Sequence, residues 1–377
     1  MKRILLITIM LAIILAGCQQ SITKEKNKEP IDYVNNRIGN ISILLVPTFP
    51  VTHLPNSMLR MIPAHTEFVT DRMKGLPLNV PSHRQGDVLY LMPYCGDMSE
   101  LTTKLDYRYD HEESTPYHYS VLLDDYGILT RFAPAARSAI FSLTYENEGP
   151  RYVMLRTAGE GELKAENNIM HGYEIYHGTK HYFYLEFDQN PVESGLKEKD
   201  NNKAIYARFA ENTKEVENRK AIYARFTENA NEVRIRYGVS YISVEQAQKN
   251  LNNEVTGFDI DALADAARDK WNETLGKIEV EGATEDQKTV FYTSLYRAHE
   301  RMINISEDGR YYNGFDGKVH DDGGVSFWTD DWIWDNYLAL HPQTDAKEGD
   351  ISSARIVAGS DHAFNTSVSE TARDNNS

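Results

Sequence analysis

The sequence predicts a two-domain β + α protein, an N-terminal β-sandwich followed by helices, because its strand-like and helix-like patterns are segregated rather than alternating. From Tyr33 to about Ser243, short apolar/polar alternations are separated by Gly, Pro, Asn and Asp clusters, with no clear helix between them. After Gly257 the apolar spacing turns helical. A length of 377 residues suits two domains.

The chain begins with a basic Met1-Lys2-Arg3, an apolar run from Ile4 to Ala16, and Leu15-Ala16-Gly17-Cys18. Small residues before a cysteine at the end of such a run are what a lipoprotein signal peptidase requires, so residues 1–18 read as a signal peptide with Cys18 as the lipidation site. The bland alternative is an ordinary secretory signal with a chance cysteine. Residues 19–30 are polar and Lys-rich, as a tether would be. This places the protein in a bacterial cell envelope, lipid-anchored, in the periplasm or on the outer-membrane surface. Cys95 is the only other cysteine, so a lipidated Cys18 leaves no intramolecular disulfide.

Within the expected β-sandwich domain, residues 31–256, the clearest strand is Glu232 to Ser243. Val233, Ile235, Tyr237, Val239 and Tyr241 fall on one face, and Arg234, Arg236, Gly238 and Ser240 on the other. Phe183, Leu185 and Phe187 alternate likewise, and further strands are expected at Tyr119 to Leu123, Ala139 to Tyr145 and Tyr152 to Leu155. Lys203-Ala-Ile-Tyr-Ala-Arg-Phe209 recurs as Lys220-Ala-Ile-Tyr-Ala-Arg-Phe226. Two units cannot make a solenoid, so this reads as a local duplication with one copy in the sheet.

Residues 257–283 read as a helical linker. Asp259 can cap a helix whose face carries Ile260, Leu263, Ala267 and Trp271, and Gly276 ends it. A second helix starts at Thr284, where Gln287 completes a capping box, with Phe291, Leu295, Ala298 and Met302 as its apolar stripe. A third is expected near Thr329, with Asp330 and Asp331 at its positive end and Pro342 stopping it.

Charge narrows the partners. With 40 basic and 56 acidic side chains the net charge is -16, against nucleic acid or an anionic bilayer surface as a binding partner. In the third helix Asp331 and Asp335 lie one turn apart, an arrangement costing a few tenths of a kcal/mol, roughly, on an exposed face. Read plainly, Trp328, Trp332 and Trp334 are core and Asp331 is solvated. The functional reading has Trp334 packing on a sugar ring while Asp335 accepts hydrogen bonds from its hydroxyls.

Trp271-Asn-Glu-Thr-Leu-Gly276-Lys-Ile-Glu-Val280, Phe291-Tyr-Thr-Ser-Leu-Tyr296, Gly309-Arg-Tyr311, Asp316-Gly-Lys-Val-His320 and Trp334-Asp335-Asn-Tyr-Leu-Ala-Leu-His341-Pro342 form an ordered series. Together with Tyr33-Val-Asn35, Ile38-Gly39, Thr48-Phe-Pro50, Leu54-Pro55 and Met58, it resembles glycoside hydrolase family 92, the calcium-dependent exo-acting α-mannosidases. The resemblance covers residues 31 to 342. It implies a β-sandwich joined by a helical linker to an (α/α)6 barrel, here incomplete and beginning over residues 284–342, with mannose-containing glycans as partners, calcium as cofactor, and Trp334 and Asp335 in substrate binding.

Two departures matter. The family's glycine-rich turn after Ile-Gly is replaced by Asn40-Ile-Ser-Ile-Leu-Leu-Val-Pro47. An inverting glycosidase needs two carboxyls roughly 6.5–9.5 Å apart, and no residue here matches the family's general acid or base, so no catalytic residue is assigned, and no metal ligand. Residues 343–377 lack Leu and are rich in Ser, Ala, Asp and Asn, which reads as a disordered or aberrant tail. The expectation is a truncated family member, inactive alone; the alternative is a surface glycan-binding lipoprotein without catalysis.

Overall fold

The structure, a computed structural model, describes residues 28–39, 49–65, 71–81, 86–102, 105–197, 221–228 and 230–329. In chain order the first strands are β1 (Thr52–His53), β2 (Arg60–Met61), β3 (Ala64–His65), β4 (Arg72–Asn79), β5 (Val88–Cys95), β6 (Tyr107–Ser114), β7 (Tyr119–Leu123) and β8 (Ile128–Pro134). They continue as β9 (Ser138–Tyr145), β10 (Arg151–Arg156), β11 (Gly161–Glu166), β12 (Ile169–Tyr176), β13 (Thr179–Phe187), β14 (Glu193–Lys197), β15 (Ala221–Phe226) and β16 (Glu232–Ser240). Apart from the β1–β2 ribbon they form one hydrogen-bonded series, β11-β12-β13-β16-β9-β8-β7-β6-β4-β5-β10-β15-β14, with β3 beside β4. The series doubles back where β6 passes to β4, so that β5 meets β8 and β12 while β11 meets β14 and β15. Two layers result, the sandwich that the alternating pattern predicts.

The alternation of β16 is a burial pattern: Val233, Ile235, Tyr237, Val239 and Tyr241 are all at most 5% exposed. Phe183, Leu185 and Phe187 of β13 are at most 1% exposed. Each such side chain stabilises the fold by about 1.5–3 kcal/mol. Direct links between the layers fix their relative position. The Tyr237 hydroxyl donates to the Leu78 carbonyl of β4 at 2.8 Å, and the Phe187 and Phe226 rings meet edge to face at 5.1 Å. The β12–β13 hairpin closes through His177 and Gly178, both at positive φ (47° and 81°), because a two-residue turn of that hand matches strand twist.

Three helices follow: α1 (Val244–Glu254), α2 (Ile260–Leu275) and α3 (Glu285–Ala298). The sequence pattern alone does not reveal α1, which lies past the strand-like run but inside the stretch, residues 31–256, expected to form the β-sandwich domain. Ser243 caps it, its hydroxyl accepting from the Gln246 amide at 3.1 Å, and Ala247, Leu251 and Val255 pack with Ala133, Ile140 and Tyr184 on the sandwich's outer face. Gly238 makes that approach possible, since a Cβ there would lie 2.3 Å from the Ala247 carbonyl. Both anticipated caps are present: Asp259 accepts from the Ala262 amide at 3.0 Å, and Thr284 and Gln287 form the reciprocal box.

The apolar stripe of α3 needs correction. Tyr292, Leu295 and Tyr296 are its buried face, Phe291 is only partly buried, and Met302 lies beyond the helix end at Ala298. Four short strands come next, β17 (Ile303–Asn304), β18 (Arg310–Asn313), β19 (Lys318–Asp321) and β20 (Trp328–Thr329), pairing as β17–β20 and β18–β19. Thr329 is thus extended, and the helix expected onward from it falls outside the described residues.

Candidate functional site

Trp334 and Asp335, the sugar-binding residues expected from the sequence, and Cys18 all lie outside the described residues. What the structure does show is the junction from which the Trp334 segment departs. β20, five residues before Trp334, pairs with β17, and β17 is tied to the sandwich by Asn56. The Asn56 carbonyl accepts from the Asn304 amide at 3.0 Å, and its side-chain amide donates to the carbonyls of Arg301 and Met302 at 2.9 and 2.8 Å. Its side-chain oxygen sits 2.9 Å from Nδ1 of His299, just past the end of α3. Asn56 adopts φ 55°, a left-handed conformation that asparagine tolerates better than most residues.

Around Asn56 the sandwich and the helices share one core. Ile31, Trp271, Leu275, Tyr292, Leu295 and Tyr296 are buried together, and Leu54 packs against them. Trp271 donates its indole N–H to the His53 carbonyl at 2.7 Å, and the Tyr296 hydroxyl donates to the Val51 carbonyl at 2.6 Å. The first described turn joins in, with the Ile31 amide donating to Asn272 at 3.1 Å and the Asn35 amide to Thr293 at 2.9 Å. On α3, Arg297 donates to the carbonyls of Phe49 at 2.7 Å and Asn36 at 2.5 Å, and pairs with Glu300.

The junction's electrostatics are structural. Burial, reinforced by the Arg60 charge, holds His53 down to about 3, so its ring is neutral. Its Nδ1, 2.7 Å from the Leu54 carbonyl, therefore carries the proton and donates. Burial raises the Glu300 carboxyl while the Arg297 and Arg60 charges oppose that rise. The asparagine and tryptophan donors named here are spent on backbone carbonyls, and those of Arg297 on backbone carbonyls and Glu300. Such a junction positions neighbouring chain. Among the described residues no three His, Cys, Asp or Glu side chains gather as a metal site.

A second perturbed carboxyl, Glu174 on β12, lies inside the sandwich. It accepts from the Leu89 amide at 2.7 Å and the Gly159 amide at 2.5 Å, holding Leu89 at φ 58°, a costly backbone state for leucine. Burial raises Glu174 from 4.5 to about 7, against the lowering effect of those amides. A carboxyl raised on folding contributes stability that is complete below its unfolded value and is lost as pH rises through its folded one. Urea unfolding should therefore show part of the stability falling away between pH 4.5 and about 7. Glu174→Gln should lower stability throughout, since one amide N–H would face a backbone N–H, and should flatten that part of the profile. An unchanged pH slope in the variant would assign the dependence to other groups.

The chain's sequence identifies its relatives. The model of the glycosyl hydrolase family 92 N-terminal domain matches residues 33–240, and that of the glycosyl hydrolase family 92 catalytic domain matches residues 246–353. The chain belongs to glycoside hydrolase family 92. A family GH92 inverting mannosidase of Bacteroides thetaiotaomicron superposes with a TM-score of 0.71 at 26% identity, over 85% of this chain and 46% of its own. A family GH92 α-mannosidase of the same organism shares the fold, with a TM-score of 0.72 at 21% identity over 84% of this chain and 47% of its own. Its complex with mannoimidazole superposes with a TM-score of 0.71 at 21% identity over 84% and 46%. The chain thus spans about half the length of the solved relatives it matches. No curated protein sequence matches it.

The catalytic-domain match begins within α1 and takes in α2, α3 and the short strands. The junction residues Asn56, Arg297 and His299 did not stand out in the sequence. Leu54-Pro55 and Met58, which flank Asn56, were its nearest signal.

Proposed function

We propose that this chain serves family 92 hydrolysis of α-linked mannosides. It supplies the N-terminal sandwich and the opening part of the catalytic domain, and these 377 residues alone bind mannosides without hydrolysing them. The observation that carries the reading is the consecutive pair of family matches together with the core that Trp271 and Tyr296 share with the sandwich. Trp334 and Asp335 are the proposed sugar contacts, the indole covering the apolar face of a pyranose ring and the carboxylate accepting from its hydroxyls. Calcium belongs to the family, and its ligands are proposed to lie outside this chain, so no step is routed through it. Calorimetric titration with an α-mannoside, with calcium and with a chelator, tests the proposal. Saturable binding lost in Trp334→Ala supports it, while the absence of heat at millimolar sugar in both conditions refutes it.

The lipobox supports a further part of the same reading, that acylated Cys18 anchors the protein at the cell envelope. Cys18→Ala should release the protein from the membrane fraction or leave an unprocessed precursor. Normal processing and unchanged fractionation in that variant would remove the anchor.

A further inference from the structure

The duplicated segment has a structural consequence that neither the family nor the sugar site supplies. Residues 203–209 and 220–226 are identical, and the likeness continues, with Glu211-Asn212 matching Glu228-Asn229, Glu215-Val216 matching Glu232-Val233, and Arg219 matching Arg236. In the structure the second copy is β15. It pairs antiparallel with β10, from Arg151 opposite Phe226 to Arg156 opposite Ala221, and with β14, from Glu193 opposite Arg225 to Lys197 opposite Ala221. Ala221, Ile222, Tyr223, Ala224 and Phe226 are all buried, and the Tyr223 hydroxyl and Arg225 Nε donate to Glu193 at 2.8 and 3.0 Å. The first copy carries each of these side chains in the same order, and residues 198–220, which hold it, lie outside the described residues.

We propose that the slot between β10 and β14 accepts either copy, giving the sandwich two strand registers 17 residues apart in sequence. Three considerations favour this. The pairing and burial available inside the slot are the same for both copies, so the two states differ only at its margins. There the Asn231 carbonyl accepts from the Tyr145 amide at 2.9 Å and the Thr227 carbonyl from Arg151 at 3.3 Å, contacts through backbone oxygens that the first copy also possesses. Chain connectivity is nearly neutral as well. With the second copy bound, the connections are 198–220 and 227–231; with the first bound, they are 198–203 and 210–231. A long and a short connection exchange places, and closure entropy, logarithmic in length, changes little. Finally, β15 and β14 end the series of strands, so exchange releases only these two from β10, uncovering the part of the core around Phe187 while the pairing from β11 to β10 persists. The result is a surplus of chain that moves from the sheet end at Lys197 to the opposite end at Glu232.

Thermal unfolding of four proteins tests the exchange: the full chain, the chain lacking residues 203–219, and each of these carrying Ile222→Asp. A buried, unpaired carboxylate in the slot is strongly destabilising. In the shortened chain, where no second copy is available, Ile222→Asp should lower the Tm by about 10 °C or more or prevent folding. In the full chain the first copy should take the slot and limit the loss to less than half of that, and the deletion alone should leave the Tm close to that of the full chain. Equal damage from Ile222→Asp in both backgrounds overturns the proposal. So does a large Tm loss on deletion alone, which would mean that the first copy has a structural place of its own.

Discussion

Trp271→Ala is expected to cost about 3–5 kcal/mol and to separate the helices from the sandwich, because it combines a large cavity with a stranded acceptor. Trp271 is fully buried, its ring lies edge-on to His53 at 5.3 Å and tilted against Tyr296 at 5.1 Å, and its N–H satisfies the His53 carbonyl. The residues packed with it are themselves anchored: Tyr296 holds the Val51 carbonyl, and Leu275 sits at the end of α2. Trp271→Phe keeps most of the apolar volume and loses only the donor, so about 1–3 kcal/mol is expected from the unpaired carbonyl and the smaller ring. Urea unfolding followed by circular dichroism distinguishes the two variants. A Trp271→Ala protein within 1 kcal/mol, roughly, of wild type would show that the helices dock by other contacts.

Purified as these 377 residues, the protein should release no mannose from α-linked mannosides, with or without added calcium. An inverting glycosidase protonates the leaving oxygen with one carboxyl and activates water with another, and each contributes about 10²–10⁴-fold. The resemblance assigns neither role to a residue of this sequence, and Trp334 and Asp335 are proposed only to bind. Among the described carboxyls with raised values, Glu174 is bound to backbone amides, Glu300 to Arg297, Glu307 accepts from the Tyr241 amide and from Asn250, Asp87 accepts from the Tyr90 hydroxyl and Glu254 from the Arg137 amide. Each is committed to holding the fold. Turnover that disappears in Asp335→Ala would overturn the prediction and make Asp335 a catalytic residue.

The sequence by itself determined the elements whose signals are local. Period-two burial marks β13 and β16 because alternate side chains enter one core, and the caps at Asp259 and Thr284 mark α2 and α3 because a helix start needs acceptors within three residues. The ordered motifs determined the family. Only the tertiary structure decided the rest. α1 follows β16 with no Gly or Pro between, and two of its buried residues, Gln246 and Asn250, are polar, so its periodicity is weak in the sequence. They are stable inside because Asn250 donates to the Val239 carbonyl and to Glu307, 57 residues away, while Gln246 donates to Asp308. The junction is of the same kind. Asn56 and His299 meet across 243 residues, and Arg297 reaches Asn36 across 261. Such bonds form between donors and acceptors that only the folded chain brings together, and any asparagine or arginine looks alike until it does.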